Sequence, residues 1–366
     1  TAEVVGAPPP DPLTAVIGGI EGAMIANRPK ATMRDVAEEA GVSKALVSLV
    51  YRTPEKVSPE RRAWVLEAAE RLGFRPNWVA SSLSARESSF TAILVSNMHN
   101  PVFGTVVDSA RATLAEAGRY GLMSSAVIPG PDGVFQADHR IVNALEDLNA
   151  GGFLVVGVMP DWSVLRDIHP SRRVVVALAA IDEIPRAASV RSHNVEGMRE
   201  LIAHLTSQGH TRIAHLGGLG QAAGRARAAA YEAAMREAGL ERHIRVVPAD
   251  FSEDSGRAAA GLLLDRYPDT TAVTCVNDLV ALGAMSAVRA TGRAIPDDVA
   301  LAGYDNTFLA GLDAINLTSI DTAAEEVGRV AAQWLIADQP PEPGSEQLIS
   351  PKLVVRGSTL RDRRPV

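Results

Sequence analysis

The chain has 366 residues, 46% hydrophobic and 22% charged, which is enough for a large α/β core plus a small appended module. A single cysteine, Cys275, excludes an internal disulfide and is read as a buried small hydrophobe, not a nucleophile. The net charge of −7 is unevenly spread: residues 30 to 90 hold ten Lys or Arg against eight Asp or Glu, giving +2 and leaving −9 elsewhere.

Residues 1–29, with PPPDP and IGGIEGAMIAN, show neither charge clustering nor a clean amphipathic period and are expected to be a disordered extension. Residues 30–76 read as three capped helices. Thr32 caps the first, with Asp35 completing an acidic capping box; Gly41 supplies a tight turn; Ser43 caps the second. Val36, Ala37, Ala40, Val42, Val47 and Val50 lock those two helices together. Ser58 as N-cap, Pro59 at the first helical position and Gly73 past the end bracket a third helix, with Val65, Leu66, Ala69 and Leu72 expected in the core and Phe74 beneath it.

The polar stretch SARESS then leads into a body that starts with the strand Phe90 to Val95. From there aliphatic strands alternate with amphipathic helices in two series: FTAILVS, VFGTVVDSARATLAEAG, YGLMSSAV, VFQADHRIVNALEDL, GGFLVVGV and RRVVVAL, then EGMRELIAHLTSQG, RIAHLGG and onward to DVALAGYD. Continuous apolar strands between helices mean parallel sheets covered on both faces, and two series mean two lobes facing across a cleft. No apolar run spans a bilayer and the start lacks the parts of a signal peptide, so a cytoplasmic location is expected.

In a helix-turn-helix the second helix lies in the major groove with its early residues at the base edges. Lys44 and Ala45, then Ser48 and Leu49, occupy those positions, while Arg52, Lys56 and Arg75 suit phosphates. Taken alone, two short capped helices joined through Gly41 are equally readable as a packing motif. The weak positive charge implies that two headpieces share one site, hence a dimer.

The residues T-M-R-D-V-A-E-E-A-G-V-S, V-S-P-E-R-R and L-G-F-R-P-N follow one another in the headpiece. The body adds N-P-V-F at Asn100 to Phe103, G-H-T-R-I-A-H-L-G-G at Gly209 to Gly218, Asn277-Asp278, and G-Y-D-N at Gly303 to Asn306. With these the chain resembles the LacI/GalR family of bacterial transcriptional regulators across nearly all of residues 30 to 360. The resemblance implies a headpiece (30–76) and a hinge helix and linker (77–89), joined to a two-lobed periplasmic-binding-protein-like body. The first lobe is expected at 90–187 plus 316–339 and the second at 188–315 plus 340–360. It also implies operator DNA and a small-molecule effector as partners, a homodimer, and neither cofactor nor metal.

By position the resemblance makes Leu83 an apolar wedge that unstacks a base step in the minor groove, with Asn77 and Ser81 beside it in the hinge and the caps Thr32 and Ser43 among the DNA-facing residues. It carries effector contacts onto Phe103, Arg227, Phe251 and Asp278, with Trp162 near the cleft mouth. Aromatic faces, a planar Arg fork and a carboxylate suit a polar ring such as a sugar; core packing for the two Phe, and a surface anchor for Trp162, remain open. Two positions depart from the family. Leu178, Ala179 and Ala180 stand at a strand end where many members carry an acid, and Leu49 stands where Arg or His is common.

Two rival readings exist. GGLGQAAGR, Gly217 to Arg225, follows a strand and opens a helix as a dinucleotide site does, but its spacing is GxGxxxG. A transporter's solute-binding protein shares the two-lobed body and leaves the headpiece without purpose. The C-terminal KLVVRGSTLRDRRPV has no apolar heptad, so a dimer without a tetramerising coiled coil is expected.

Overall fold

The computed structural model describes residues 31–75, 90–131, 134–179, 186–219 and 222–360. The extension 1–29, the hinge residues Asn77, Ser81 and Leu83, and Ala180 lie outside them, as does the side chain of Arg52. The chain divides into two units, 1–81 and 82–366.

The headpiece holds α1 (Met33–Glu39), α2 (Lys44–Arg52), a 3-10 turn (Pro54–Lys56) and α3 (Pro59–Arg71). The Thr32 hydroxyl accepts from the amides of Arg34 and Asp35 at 3.3 Å, and the Asp35 carboxylate accepts from the Thr32 amide at 2.7 Å. These bonds hold the Asp35 carboxyl below its usual range, the backbone bond from Thr32 foremost. Gly41 has φ +65, a conformation that only glycine adopts cheaply, and it turns the chain into α2, where Ser43 accepts from the Leu46 amide. Val36, Val47 and Val65 are fully buried with Ala37, Val50, Val57, Ala68 and Ala69, and Phe74 packs on this cluster with its ring centroid 6.0 Å from that of Tyr51.

Three expectations fail here. Ser58 makes no side-chain cap bond. Leu66 is 45% exposed and Leu72 37% exposed. The buried stripe of α3 runs Val65, Ala68, Ala69, so Leu66 falls off the stripe and Leu72 is the C-cap beyond the last helical turn.

The body continues with β1 (Phe90–Val95), α4 (Pro101–Glu116), β2 (Tyr120–Ser125), β3 (Val127–Pro129), β4 (Phe135–Ala137), α5 (His139–Asp147), β5 (Gly152–Val156), a 3-10 turn (Trp162–Asp167), β6 (Arg173–Ala177) and β7 (Ala188–Ser192). Next come α6 (Asn194–Ser207), β8 (Ile213–Gly218), α7 (Ala222–Glu237), β9 (Val246–Ala249), α8 (Glu253–Arg266), β10 (Ala272–Cys275), α9 (Asp278–Ala290) and β11 (Ala300–Asp305). The chain closes with β12 (Thr318–Asp321), α10 (Ala324–Ile336), β13 (Glu346–Ile349) and β14 (Lys352–Val354). The helix expected from Val134 starts only at His139, because Asp138 caps it through the Arg140 amide and β4 pairs with β3 instead.

The first lobe's sheet runs β13-β7-β6-β5-β1-β2, all parallel; the second runs β14-β12-β11-β10-β8-β9, parallel except for β14 against β12. Both orders reverse direction beside their first strand, β1 and β8, and loops beyond the strand ends at such a switch point form a crevice. The expected lobe boundaries are corrected at three strands. β7 and β13 were assigned to the second lobe and lie in the first, and β12 was assigned to the first and lies in the second. Pairing partners far along the chain decide this, and a short apolar strand carries no mark of them. The chain therefore crosses between lobes three times, at 192–194, 321–324 and 349–352. Cys275 is fully buried among aliphatic residues, as expected. Among the described residues no helix is long and apolar enough to cross a membrane, and no acid, His or Cys cluster suits a metal.

Candidate functional site

In the headpiece, α2 buries Val47 and Val50 and leaves Ser43, Lys44 and Ala45 exposed at its start. Ser48 is half-buried. Leu49 is half-buried because it packs on the headpiece core, which limits its reach as a base contact. Lys56 is exposed on the turn after α2, and Thr32 is exposed with its hydroxyl engaged in the capping box. The fully exposed group with both charge and reach on the early turn of α2 is Lys44.

In the body, the C-terminal strand ends of both lobes converge on Arg227 of α7, which is 8% exposed. Its Nη2 donates to Asp305 Oδ1 at 3.0 Å, its Nη1 to the Val276 carbonyl at 2.5 Å, and its Nε to Asn194 Oδ1 at 3.4 Å. The guanidinium carbon sits 4.0 Å from the Tyr304 ring centroid, a cation–π contact within the buried cluster. Burial raises the Asp305 carboxyl above its usual range, opposed by Arg227 and by the neighbouring Asn100 side chain. Asn100 is the N-cap of α4, where its Oδ1 accepts from the Val102 amide at 3.2 Å. First-lobe Asn100 and second-lobe Asp305 thus face one another across the cleft. Asp305 itself has φ +100 and Asn306 φ +47, strained backbone of the kind that clusters at binding sites.

Phe103 lies one turn after Asn100, and its ring crosses Gly157, where an added Cβ would stand 2.6 Å from Phe103 Cζ. Gly157 has φ +86, so both space and backbone require glycine there. Phe251 is half-buried on the second lobe's core, with its ring beside Gly224 in the first turn of α7. Its carbonyl accepts from Asn277 Nδ2 at 3.1 Å. The space left at Arg227 is about 10 Å³, lined from both lobes by Leu178, Arg191, Ser192, Asn194, Ala223 and Arg227. That is room for one water at most. Leu178 has φ +61, a conformation rare for a branched apolar residue, and it stands at the strand end already noted as a departure from the family.

Asp278 does not belong with these groups as a free acceptor. It is 1% exposed, and its Oδ2 accepts from the Thr307 amide at 2.7 Å and hydroxyl at 2.9 Å, while Oδ1 accepts from Ser319 Oγ at 2.6 Å. Burial, then the neighbouring Asp305 charge, pushes its carboxyl up to about 7. Asp278 braces the start of α9 against the loop after β11. Trp162 opens the 3-10 turn, half-buried behind its cap Asp161, and among the described residues no hydrogen bond or ring contact joins it to the Arg227 cluster. The sequence reading missed Asn100, Asn194, Tyr304 and Asp305. N-P-V-F and G-Y-D-N had already singled out Asn100, Tyr304 and Asp305, and the signal was their place beyond strand ends.

Residues 32–77 match the lacI family of bacterial regulatory proteins, and residues 202–359 match a periplasmic binding protein-like domain. The HTH-type transcriptional regulator CelR of Thermobifida fusca is 31% identical over 84% of this chain and 92% of its own length. The HTH-type transcriptional regulator DegA of Bacillus subtilis is 30% identical over 90% and 98% respectively. The chain belongs to the lacI family. Among solved structures, a lac repressor dimer bound to operator and the anti-inducer ONPF superposes with a TM-score of 0.76 at 25% identity, covering 90% of this chain and 99% of that one. A CelR–cellobiose complex superposes at 0.65 with 29% identity over the same shares. As a lacI-family member the protein is a DNA-binding transcriptional regulator, and the headpiece match gives no support to the solute-binding alternative.

Proposed function

We propose that this regulator is a homodimeric repressor of a pseudo-palindromic operator, released or engaged by a small polar-ring ligand, a sugar or related metabolite, bound at Arg227, Asp305 and Asn100. The observation that carries this reading is the buried Arg227–Asp305 pair at the second lobe's strand ends, with first-lobe Asn100 beside the carboxylate. A planar donor beside a carboxylate matches two neighbouring hydroxyls, one accepting from Arg227 and one donating to Asp305. With no ligand the two groups satisfy one another, so binding exchanges protein partners for ligand partners, and the lobe angle follows. Phe103 covers one face of the ring. Leu178 offers an apolar wall, so the ligand presents no hydroxyl on that side. On this reading Asp278 and Trp162 leave the binding set, and the glycines at Gly217 and Gly218 turn the chain rather than cradle a dinucleotide. Lys44 and Ala45 read bases; Ser48, Arg52 and Lys56 set register; Leu83 wedges the operator centre.

The test is a thermal-shift screen over sugars and nucleosides, followed by operator anisotropy with any compound that stabilises the chain. A ligand that stabilises the wild type but not Arg227→Ala, and that changes operator affinity, fits the proposal. Equal stabilisation of both proteins places the ligand elsewhere.

A further inference from the structure

At the end of the first lobe opposite the cleft lies a cavity of about 710 Å³, open between the N-terminal ends of β6 and β7, the C-terminal end of α10 and the loop to β13. Arg172, Arg173 and Arg186 line it together with Trp334, Pro341 and Glu342. The three guanidiniums differ in how they are held. Arg172 is ion-paired with Glu146 at 3.5 Å and donates to Asn149 Oδ1 at 2.7 Å. Arg173 donates to the Leu335 carbonyl at 3.0 Å and to that of Ala337, and Arg186 to the Ile168 carbonyl at 3.3 Å. Among the described residues, neither Arg173 nor Arg186 has an ion-pair partner. Among the described residues carbonyls, not carboxylates, hold these side chains, which sets two oriented guanidinium forks on the wall of one concave space. Among the described residues Glu342 is the single carboxylate on the lining.

We propose that this cavity is a second ligand site, separate from the cleft, for a small organic oxyanion carrying at least two negative charges as phosphate or carboxylate. Guanidinium forks pair bidentately with either group, and Trp334 with the proline wall covers an organic body. The volume suits a metabolite rather than a duplex, which is too wide to enter a cavity of this size. The site stands at the end where the chain enters β1, so an anion there stiffens the lobe that receives the headpiece linker.

The experiment titrates the full chain with citrate and, separately, inorganic pyrophosphate, against sodium chloride at matched ionic strength, reading melting temperature and tryptophan fluorescence. Saturable binding of either anion is expected in the wild type and in Arg227→Ala, and which anion binds tells carboxylate from phosphate. Arg186→Gln should weaken it about tenfold and Arg186→Lys less, while Trp334→Phe should remove the fluorescence change. Arg186 is the primary target because Arg173 also braces the end of α10. Shifts that track ionic strength alone, equal affinity in Arg186→Gln, or loss of operator affinity in Arg186→Gln with anion binding intact would each overturn the proposal.

Discussion

Replacing Arg227 by alanine removes the sole cation bonded to Asp305 among the described residues and leaves that carboxyl, 6% exposed, with Asn100. Breaking one side of a buried pair costs about 3–5 kcal/mol. The charged part has a ceiling: protonating a carboxyl of ordinary pKa at neutral pH costs about 4 kcal/mol, and burial that already raises Asp305 lowers that figure. The folded variant therefore takes up a proton that its unfolded chain does not hold. Its stability is largest below the unfolded pKa and falls as pH rises toward the raised folded pKa, by up to about 1.4 kcal/mol per pH unit in that window. Urea melts of wild type and Arg227→Ala at several pH values between about 5 and 8 measure the slope. The variant should lose more stability toward alkaline pH, and Arg227→Met combined with Asp305→Asn should remove the excess slope. Parallel profiles for wild type and Arg227→Ala would refute the idea that Arg227 holds the Asp305 charge.

Asp278→Asn should keep the ligand response that Asp305→Asn loses, because Asp278 spends its oxygens on Thr307 and Ser319. It should also flatten the wild-type decline in stability between about pH 4 and 7, since a folded carboxyl near 7 stabilises most below its unfolded pKa. In the headpiece, Val47→Ala should destabilise by about 1.5–3 kcal/mol, whereas Leu66→Ala, exposed on α3, should stay within about 0.5 kcal/mol; headpiece melts distinguish them. Leu83→Ala should weaken specific operator binding by about 1–3 kcal/mol and leave random DNA unchanged, which anisotropy on the two duplexes reads directly.

Periodicity carried most of the fold. Phe90 to Val95 was legible as a strand because six consecutive buried residues leave no helical alternative in so short a run. The headpiece was legible because Thr32, Gly41 and Ser43 each do a local chemical job that neighbouring residues cannot. The lobe membership of β7, β12 and β13 was not legible, since each is four or five residues long and joins its sheet through partners read only in three dimensions. Which of Asp278 and Asp305 faces Arg227 was hidden for a similar reason. Both acids sit beside an asparagine at a strand end, and what separates them is that Thr307 and Ser319 face one while Arg227 faces the other. Leu49 shows the same limit in the headpiece: position on α2 suggested the groove, and packing draws it toward the core.

The space of about 10 Å³ beside Arg227 admits a ring only if the lobes turn apart about the three short crossings. Asn100 and Asp305 face one another between those lobes, and a ligand hydroxyl at Asp305 competes with Asn100 for the carboxylate. Asn100→Ser separates this contact from the helix cap, because serine can still accept from the Val102 amide but is shorter toward Asp305. If opening precedes binding, loss of a polar contact of about 1 kcal/mol raises the open population and tightens ligand binding about fivefold, with a larger radius of gyration in the ligand-free state. If scattering and affinity instead stay at wild-type values, the Asn100–Asp305 contact has no part in the response.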